Sequence, residues 1–163
     1  MHLRRARPED YEAIGAMTVA AYQPQLTDAS SSYAEHLANA EARDRQAELW
    51  VAVGSDDHEV LGTVTICREG SPWREVAAAD EGEFRMLAVA PQAQGQGVGE
   101  ALVRHVVDRF REEGATAVVM STNAHGTAPA QRLYQRLGFV RCPERDWSPM
   151  PGVELIVYRL DLA

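Results

Sequence analysis

Apolar positions along this chain recur with two periods, two and about 3.6, and the switches between them mark the elements. His2 to Arg7 alternates weakly and reads as a first strand. Pro8, Glu9 and Asp10 mark a helix start, and Ile14, Met17, Val19 and Ala21 carry that helix to Tyr22. Gln23 to Ser32 is loop, with Pro24 and a serine cluster. Ser31 or Ser32 caps a second helix running to Glu48, with Tyr33, His36, Leu37 and Ala40 along one side.

Leu49 to Val53 and Val60 to Cys67 are predicted strands, joined by a hairpin loop over residues 54–58. Arg68 to Asp80 reads as loop, with a short helical turn at Val76 to Ala79. A fourth strand opens at Glu83. Leu87 and Val89 face one way and Met86 and Ala88 the other, so it is expected to be buried on both sides. Pro91 ends it, because proline donates nothing to a sheet ladder. Gly95, Gly97 and Gly99 follow, and then Val98, Ala101, Leu102, Val106 and Phe110 recur at helical spacing as far as Gly114. Ala117 to Ser121 is a fifth strand. Thr127 and Pro129 cap and open a helix that ends at Gly138. Phe139 to Cys142 and Val153 to Leu162 close the chain as strands, separated by a Pro-rich loop holding Trp147, Pro149 and Pro151.

The third and fourth strands form an antiparallel meander, and strand–helix–strand across 83–121 is long enough for a right-handed parallel crossover. The expected fold class is α+β: one domain over residues 1–163, with a central mixed, mostly antiparallel sheet of six or seven strands flanked by helices.

Composition narrows the function. At 45% hydrophobic and 25% charged the chain is ordinary for a globular domain. A net charge of −8 argues against a nucleic-acid partner, which favours a basic surface. No apolar run approaches the ~18 residues of a membrane span, so no membrane partner is expected. Acids at Glu9, Asp10 and Glu12 break the one stretch resembling an export signal, so the expected location is the cytoplasm. Cys67 and Cys142 have no metal-site spacing, so no metal is expected, and Cys67 reads as a small core residue.

Three glycines feeding a helix N-terminus offer unpaired backbone N–H groups at the positive end of a helix dipole, an anion site for which phosphate is the usual occupant. A dinucleotide fingerprint requires a third glycine where Leu102 stands, and a P-loop requires a Gly-Lys pair that the chain lacks. Gln94-x-x-Gly97-x-Gly99 instead resembles the acyl-CoA signature of the GNAT superfamily of N-acetyltransferases. Glu83-Phe-Arg-Met-Leu-Ala-Val-Ala-Pro91 before it resembles that family's fourth strand, and Ala130-Gln-Arg-Leu-Tyr134-Gln-Arg-Leu-Gly138-Phe139 a later motif. The specific resemblance spans residues 83–141.

The resemblance implies a sheet whose parallel fourth and fifth strands splay apart, and acetyl-CoA as acyl donor. Backbone amides from Gln94 through Gly95, Gln96, Gly97 and Val98 to Gly99 would hold the pyrophosphate, the glycines sparing it crowding side chains. The backbone of Leu87, Ala88 and Val89 would bond the pantetheine arm as an added strand does. A main-chain N–H near Leu87 or Ala88 would serve the oxyanion. Tyr134 stands where the family's general acid sits; a phenol near pKa ~10 is protonated at neutral pH and can donate to a thiolate. Glu83 stands where several members place a base, with Asp80, Glu81, His36, His105 and His125 as rivals. Thr127 occupies a position where the family often has asparagine, so Asn123 is an alternative cofactor contact. Direct attack in a ternary complex is implied, because no cysteine falls in these motifs. Dimers are common in the family, making a homodimer an expected assembly.

The acceptor, a small amine or a protein amino group, is left open. Tyr22, Tyr33, Trp73 and Trp147 with Asp28, Glu75, Asp80 and Asp146 lie in the least constrained loops and suit a cationic amine. A second function class also stays open: a non-catalytic acyl-CoA-binding or regulatory module.

Overall fold

The structure, a computed structural model, describes residues 1–22, 31–124 and 128–162, so Asp28, His125 and Thr127 lie outside the described residues. Among these, eight strands build one sheet: β1 (His2–Arg5), β2 (Glu48–Val53), β3 (Val60–Cys67), β4 (Glu81–Val89), β5 (Ala117–Asn123), β6 (Val140–Arg141), β7 (Trp147–Met150) and β8 (Val153–Asp161). Their spatial order is β1-β2-β3-β4-β5-β8-β6, with β7 also paired to β8. Every pairing is antiparallel except β4 with β5. The α+β class and the parallel central pair are as expected, and the strand count exceeds the expectation of six or seven. The added strand is β7, which the prolines had hidden; a strand that pairs on one side tolerates Pro149.

Two layers cover the sheet. Helices α4 (Val98–Glu112) and α5 (Ala128–Arg136) pack on the face that presents Val64, Ile66, Phe84, Val118, Met120 and Tyr158. The other face carries α1 (Tyr11–Tyr22), α2 (Ser31–Ala38) and α3 (Ala40–Gln46) over two smaller clusters, one around Leu49, Val51 and Val53 and one around Cys67, Met86 and Leu155. The second predicted helix is therefore two. Asn39 breaks it: its side-chain oxygen accepts the Ala42 N–H at 3.1 Å and caps α3, using the local bonding by which asparagine competes with helix continuation.

Two further expectations change. No helical turn forms over 76–79. And β4 does not run with plain alternation: Met86 has φ +56° and sits in a bulge, where Val64 of β3 faces both Met86 and Leu87. The bulge turns Arg85 and Met86 towards the α1–α3 layer, and returns Leu87 and Val89 to the α4–α5 side already occupied by Phe84.

Candidate active site

The parallel ladder between β4 and β5 runs from Glu81 opposite Ala117 to Phe84 opposite Met120, and stops, although the strands continue to Val89 and Asn123. On its other edge β4 stays joined to β3 through Thr63–Ala88 and Gly62–Val89. The β5-facing backbone of Leu87 to Val89 thus has no strand beside it. A cleft of about 620 Å³ occupies that gap. Its walls are Leu87, Ala88 and Val89 from β4, Thr122 and Asn123 from β5, Leu133 and Tyr134 from α5, and Ala21 and Tyr22 at the end of α1.

At one end the cleft meets the glycine loop, through Gln94, Gly95, Gly97, Val98 and Gly99. Gly95 and Gly97 have φ of +79° and +82°, and Gly97 is the N-cap of α4. A Cβ at either would meet no protein atom within 4 Å, so the left-handed backbone that turns the chain into the helix is itself a reason for these two glycines. Gly99 serves packing instead. A Cβ there would lie 3.3 Å from Leu133 and 3.5 Å from Val89, so its absence lets α5 close against β4. Of the other residues predicted to touch the cofactor, Gln96 is absent from the lining, its amide turned back to donate to the Gln92 carbonyl at 3.1 Å. Sequence reasoning missed Arg136, which also lines the cleft, 2.9 Å from Glu100 in the first turn of α4.

Tyr134 is 3% exposed and lines the cleft over an aromatic floor. Its ring lies 6.4 Å from Phe84, 6.1 Å from Phe139 and 6.0 Å from Tyr158. Burial, with smaller contributions from Tyr22 and Tyr158, raises its pKa far above the ordinary phenol value. The hydroxyl therefore keeps its proton at neutral pH.

Glu83 occupies a different place. The strand begins at Glu81, so Glu83 is interior to β4 rather than opening it, and its side chain is fully buried. Its carboxylate accepts the N–H groups of Glu75 at 3.0 Å, Val76 at 2.9 Å and Ala77 at 3.0 Å. Burial raises the Glu83 pKa, with the three amides opposing. Glu83 is not in the cleft lining, so the structure does not bring it together with Tyr134.

The rival acids are engaged elsewhere. Asp80 accepts from Thr116 at 3.0 Å, and Glu81 pairs with Arg145 at 2.6 Å and Arg159 at 2.8 Å. Asp146 pairs with Arg141 at 2.9 Å. The aromatics do gather: Tyr33, Trp73 and Met86 form one buried cluster with Tyr22 and Trp147 against it, and His36 stacks on Trp73 at 4.3 Å. The charges among them, however, are arginines. Arg85 is 4% exposed, donates to the Trp73 carbonyl at 3.2 Å and lies 5.3 Å from the Trp147 ring. Arg43 is fully buried and donates to the Leu37 carbonyl at 2.6 Å. Of the acids expected near these rings, Glu75 lies close enough to Tyr33 to raise its pKa, Asp80 and Asp146 are paired elsewhere, and Asp28 lies outside the described residues. His105, meanwhile, lies against Trp50 at 4.1 Å, outside the cleft lining.

Among the described residues no cluster of three or more His, Cys, Asp or Glu could hold a metal ion, and no helix is long and apolar enough to cross a membrane. Both cysteines are buried free thiols.

A splayed parallel pair beside a glycine-turned helix N-terminus defines the class. The acetyltransferase (GNAT) family model matches residues 11–139, and the chain belongs to that family. It is similar to the mycothiol acetyltransferase of Cellulomonas flavigena, 31% identical over 74% of this chain and 38% of that one. It is also similar to the streptothricin acetyltransferase of Streptomyces lavendulae, 35% identical over 63% of this chain and 50% of that one. The chain therefore spans half or less of the length of these curated relatives. The solved structure of yncA from Salmonella typhimurium with its cofactor acetyl-CoA shares the fold, with a TM-score of 0.66, 23% identity and coverage of 100% of this chain and 94% of that one.

Proposed function

We propose that this protein is an acetyl-CoA-dependent N-acetyltransferase that moves the acetyl group directly to a primary amine in a ternary complex. The observation that carries this reading is the gap between β4 and β5 beyond Phe84 and Met120, opening beside the glycine loop and beneath Tyr134. The relatives named mycothiol acetyltransferase and streptothricin acetyltransferase support the reaction type.

In this reading the amides from Gln94 to Gly99 hold the diphosphate, and the α4 dipole adds to that attraction. The pantetheine arm takes the place of the missing strand partner along Leu87, Ala88 and Val89. Asn123 meets it from β5. The amine nitrogen attacks the thioester carbonyl carbon, and a β4 N–H near Leu87 or Ala88 stabilises the oxyanion. The C–S bond then breaks, the thiolate takes the Tyr134 proton, and solvent restores it. Glu83 bears on the amine's own proton only through an intervening group, because its oxygens face loop amides. His36 is no nearer: it stacks on Trp73 at 4.3 Å, outside the cleft lining, so the amine's proton leaves to solvent.

The experiment is thiol release from acetyl-CoA across a diverse amine library, with mass identification of the product and calorimetric titration of coenzyme A. Binding together with acetylation of an amine supports the enzyme. Tight binding with no acetylation of any amine would point to the non-catalytic module.

A further inference from the structure

The cleft is lined from both faces of the sheet. Leu133 and Tyr134 reach it from α5, and Ala21 and Tyr22 reach it from the end of α1. Tyr134 belongs to the cluster under α4 and α5, whereas Tyr22 packs against the cluster of Tyr33, Leu37 and Met86 on the other face. Helices on opposite faces share a cavity only where the sheet between them is open. That opening is the stretch beyond Phe84 and Met120, where the β4–β5 ladder has stopped.

Two phenols therefore border one opening from opposite sides. They are near enough that Tyr22, after burial, is the next largest influence raising the Tyr134 pKa. Burial raises the Tyr22 pKa as well, with Tyr33 adding to it and Arg85 and Arg43 opposing. Both hydroxyls keep their protons at neutral pH, and no described residue hydrogen-bonds either one. A hydroxyl drawn out of bulk water gains from whatever partner the cavity admits. The glycine loop opens α4, so a thioester donor enters from the α4–α5 side. The α1 side, where Tyr22 stands half-buried, is left for the nucleophile.

We infer that Tyr22 is a second catalytic phenol, whose oxygen accepts a hydrogen bond from the attacking amine and aims its lone pair at the thioester carbonyl. The inference rests on the transferase reading above and deepens it by naming the residue that receives the nucleophile. As the N–C bond forms, the nitrogen's proton passes to the Tyr22 oxygen while the Tyr22 proton passes to water. As the C–S bond breaks, the thiolate takes the Tyr134 proton. One phenol thus serves the bond that forms and the other the bond that breaks, and each ends neutral once solvent has restored Tyr134.

The test is Tyr22→Phe, which keeps the ring and removes the oxygen. The probe is whichever amine of the library the wild type acetylates with the highest kcat/KM. That kcat/KM should fall by on the order of tenfold to a hundredfold, while calorimetry finds acetyl-CoA affinity within about twofold. The thermal midpoint should hold or rise, because no described residue loses a hydrogen-bond partner. A folded variant with wild-type kcat/KM overturns the inference and leaves the transferase reading intact. So does a loss traced to weaker acetyl-CoA binding, which would put Tyr22 on the donor, or a lowered midpoint, which would make its hydroxyl structural. A wild type that acetylates no amine overturns both.

Discussion

Phe84 and Met120 face each other as the last rung between β4 and β5, and the aromatic floor under Tyr134 stands on that rung. Phe84 meets Phe139 edge-on at 6.2 Å and Tyr134 at 6.4 Å. One residue further along, Arg85 points to the opposite face. The position where the sheet opens thus lets the proposed acid on one side and the proposed amine contact, Tyr22, on the other line one cleft.

Tyr134→Phe removes one hydroxyl from a packed ring, so the fold and cleft should remain. We expect kcat to fall by about 10²- to 10⁴-fold, the usual worth of a positioned acid, with coenzyme A affinity within about twofold. Because burial holds the Tyr134 pKa far above its ordinary value, wild-type activity should show no loss from phenol ionisation between pH 7 and 10. Steady-state kinetics beside calorimetry check both. A variant with wild-type kcat would remove Tyr134 from the chemistry.

Glu83→Gln separates two roles for the carboxylate. If Glu83 acts through the loop it anchors, acceptor KM should rise while the acidic limb of the kcat/KM profile stays in place. If it relays the amine's proton, kcat should fall and that limb should move. The buried, amide-bound position of Glu83 predicts the first result.

Glu81 predicts acid sensitivity. Burial pushes its pKa up, but Arg145 and Arg159 outweigh that and hold it at about 2. A folded pKa below the unfolded value means a stabilising contribution that is complete above the unfolded pKa of ~4.3 and is lost as pH falls towards the folded one. Glu81→Gln should cost about 1.5–3 kcal/mol in urea unfolding at pH 6, and little at pH 2. An equal cost at both values would contradict this sign.

Gly82→Ala tests how tightly α4 lies on the sheet. A Cβ at Gly82 would come within 2.4 Å of the Phe110 ring, a contact that forces the ring or the helix to move. We expect a loss of about 1–3 kcal/mol, the common cost of overpacking, visible as a lower thermal midpoint. An unchanged midpoint would mean that α4 yields freely.

Much of this was legible in the sequence where one local signal decides. The glycine run and the apolar repeat of α4 announced the loop and helix, and Gly114 closes that helix with φ +81° as its position implied. What escaped depends on partners distant in sequence. The Met86 bulge exists because β3 supplies Val64 opposite two residues, and no pattern within β4 records it. Glu83 looked like a strand-end acid because the loop that encloses it carries no motif; backbone amides of any residue type can solvate a carboxylate. Arg43 and Arg85 carry no signal in the sequence, since arginine is seldom buried, and only the folded layers bring the two beneath the aromatics. Trp147 escaped as a strand residue because its neighbouring prolines signal a loop.

The central claim is that a coenzyme A thioester lies along β4 with its diphosphate on the α4 N-terminus, and hydrogen–deuterium exchange with and without acetyl-CoA tests it most directly. The account predicts slowed exchange over Leu87 to Val89 and over Gly95 to Ala101, with β1 and β2 unchanged. Slowed exchange elsewhere only, or none at saturating acetyl-CoA, would contradict it.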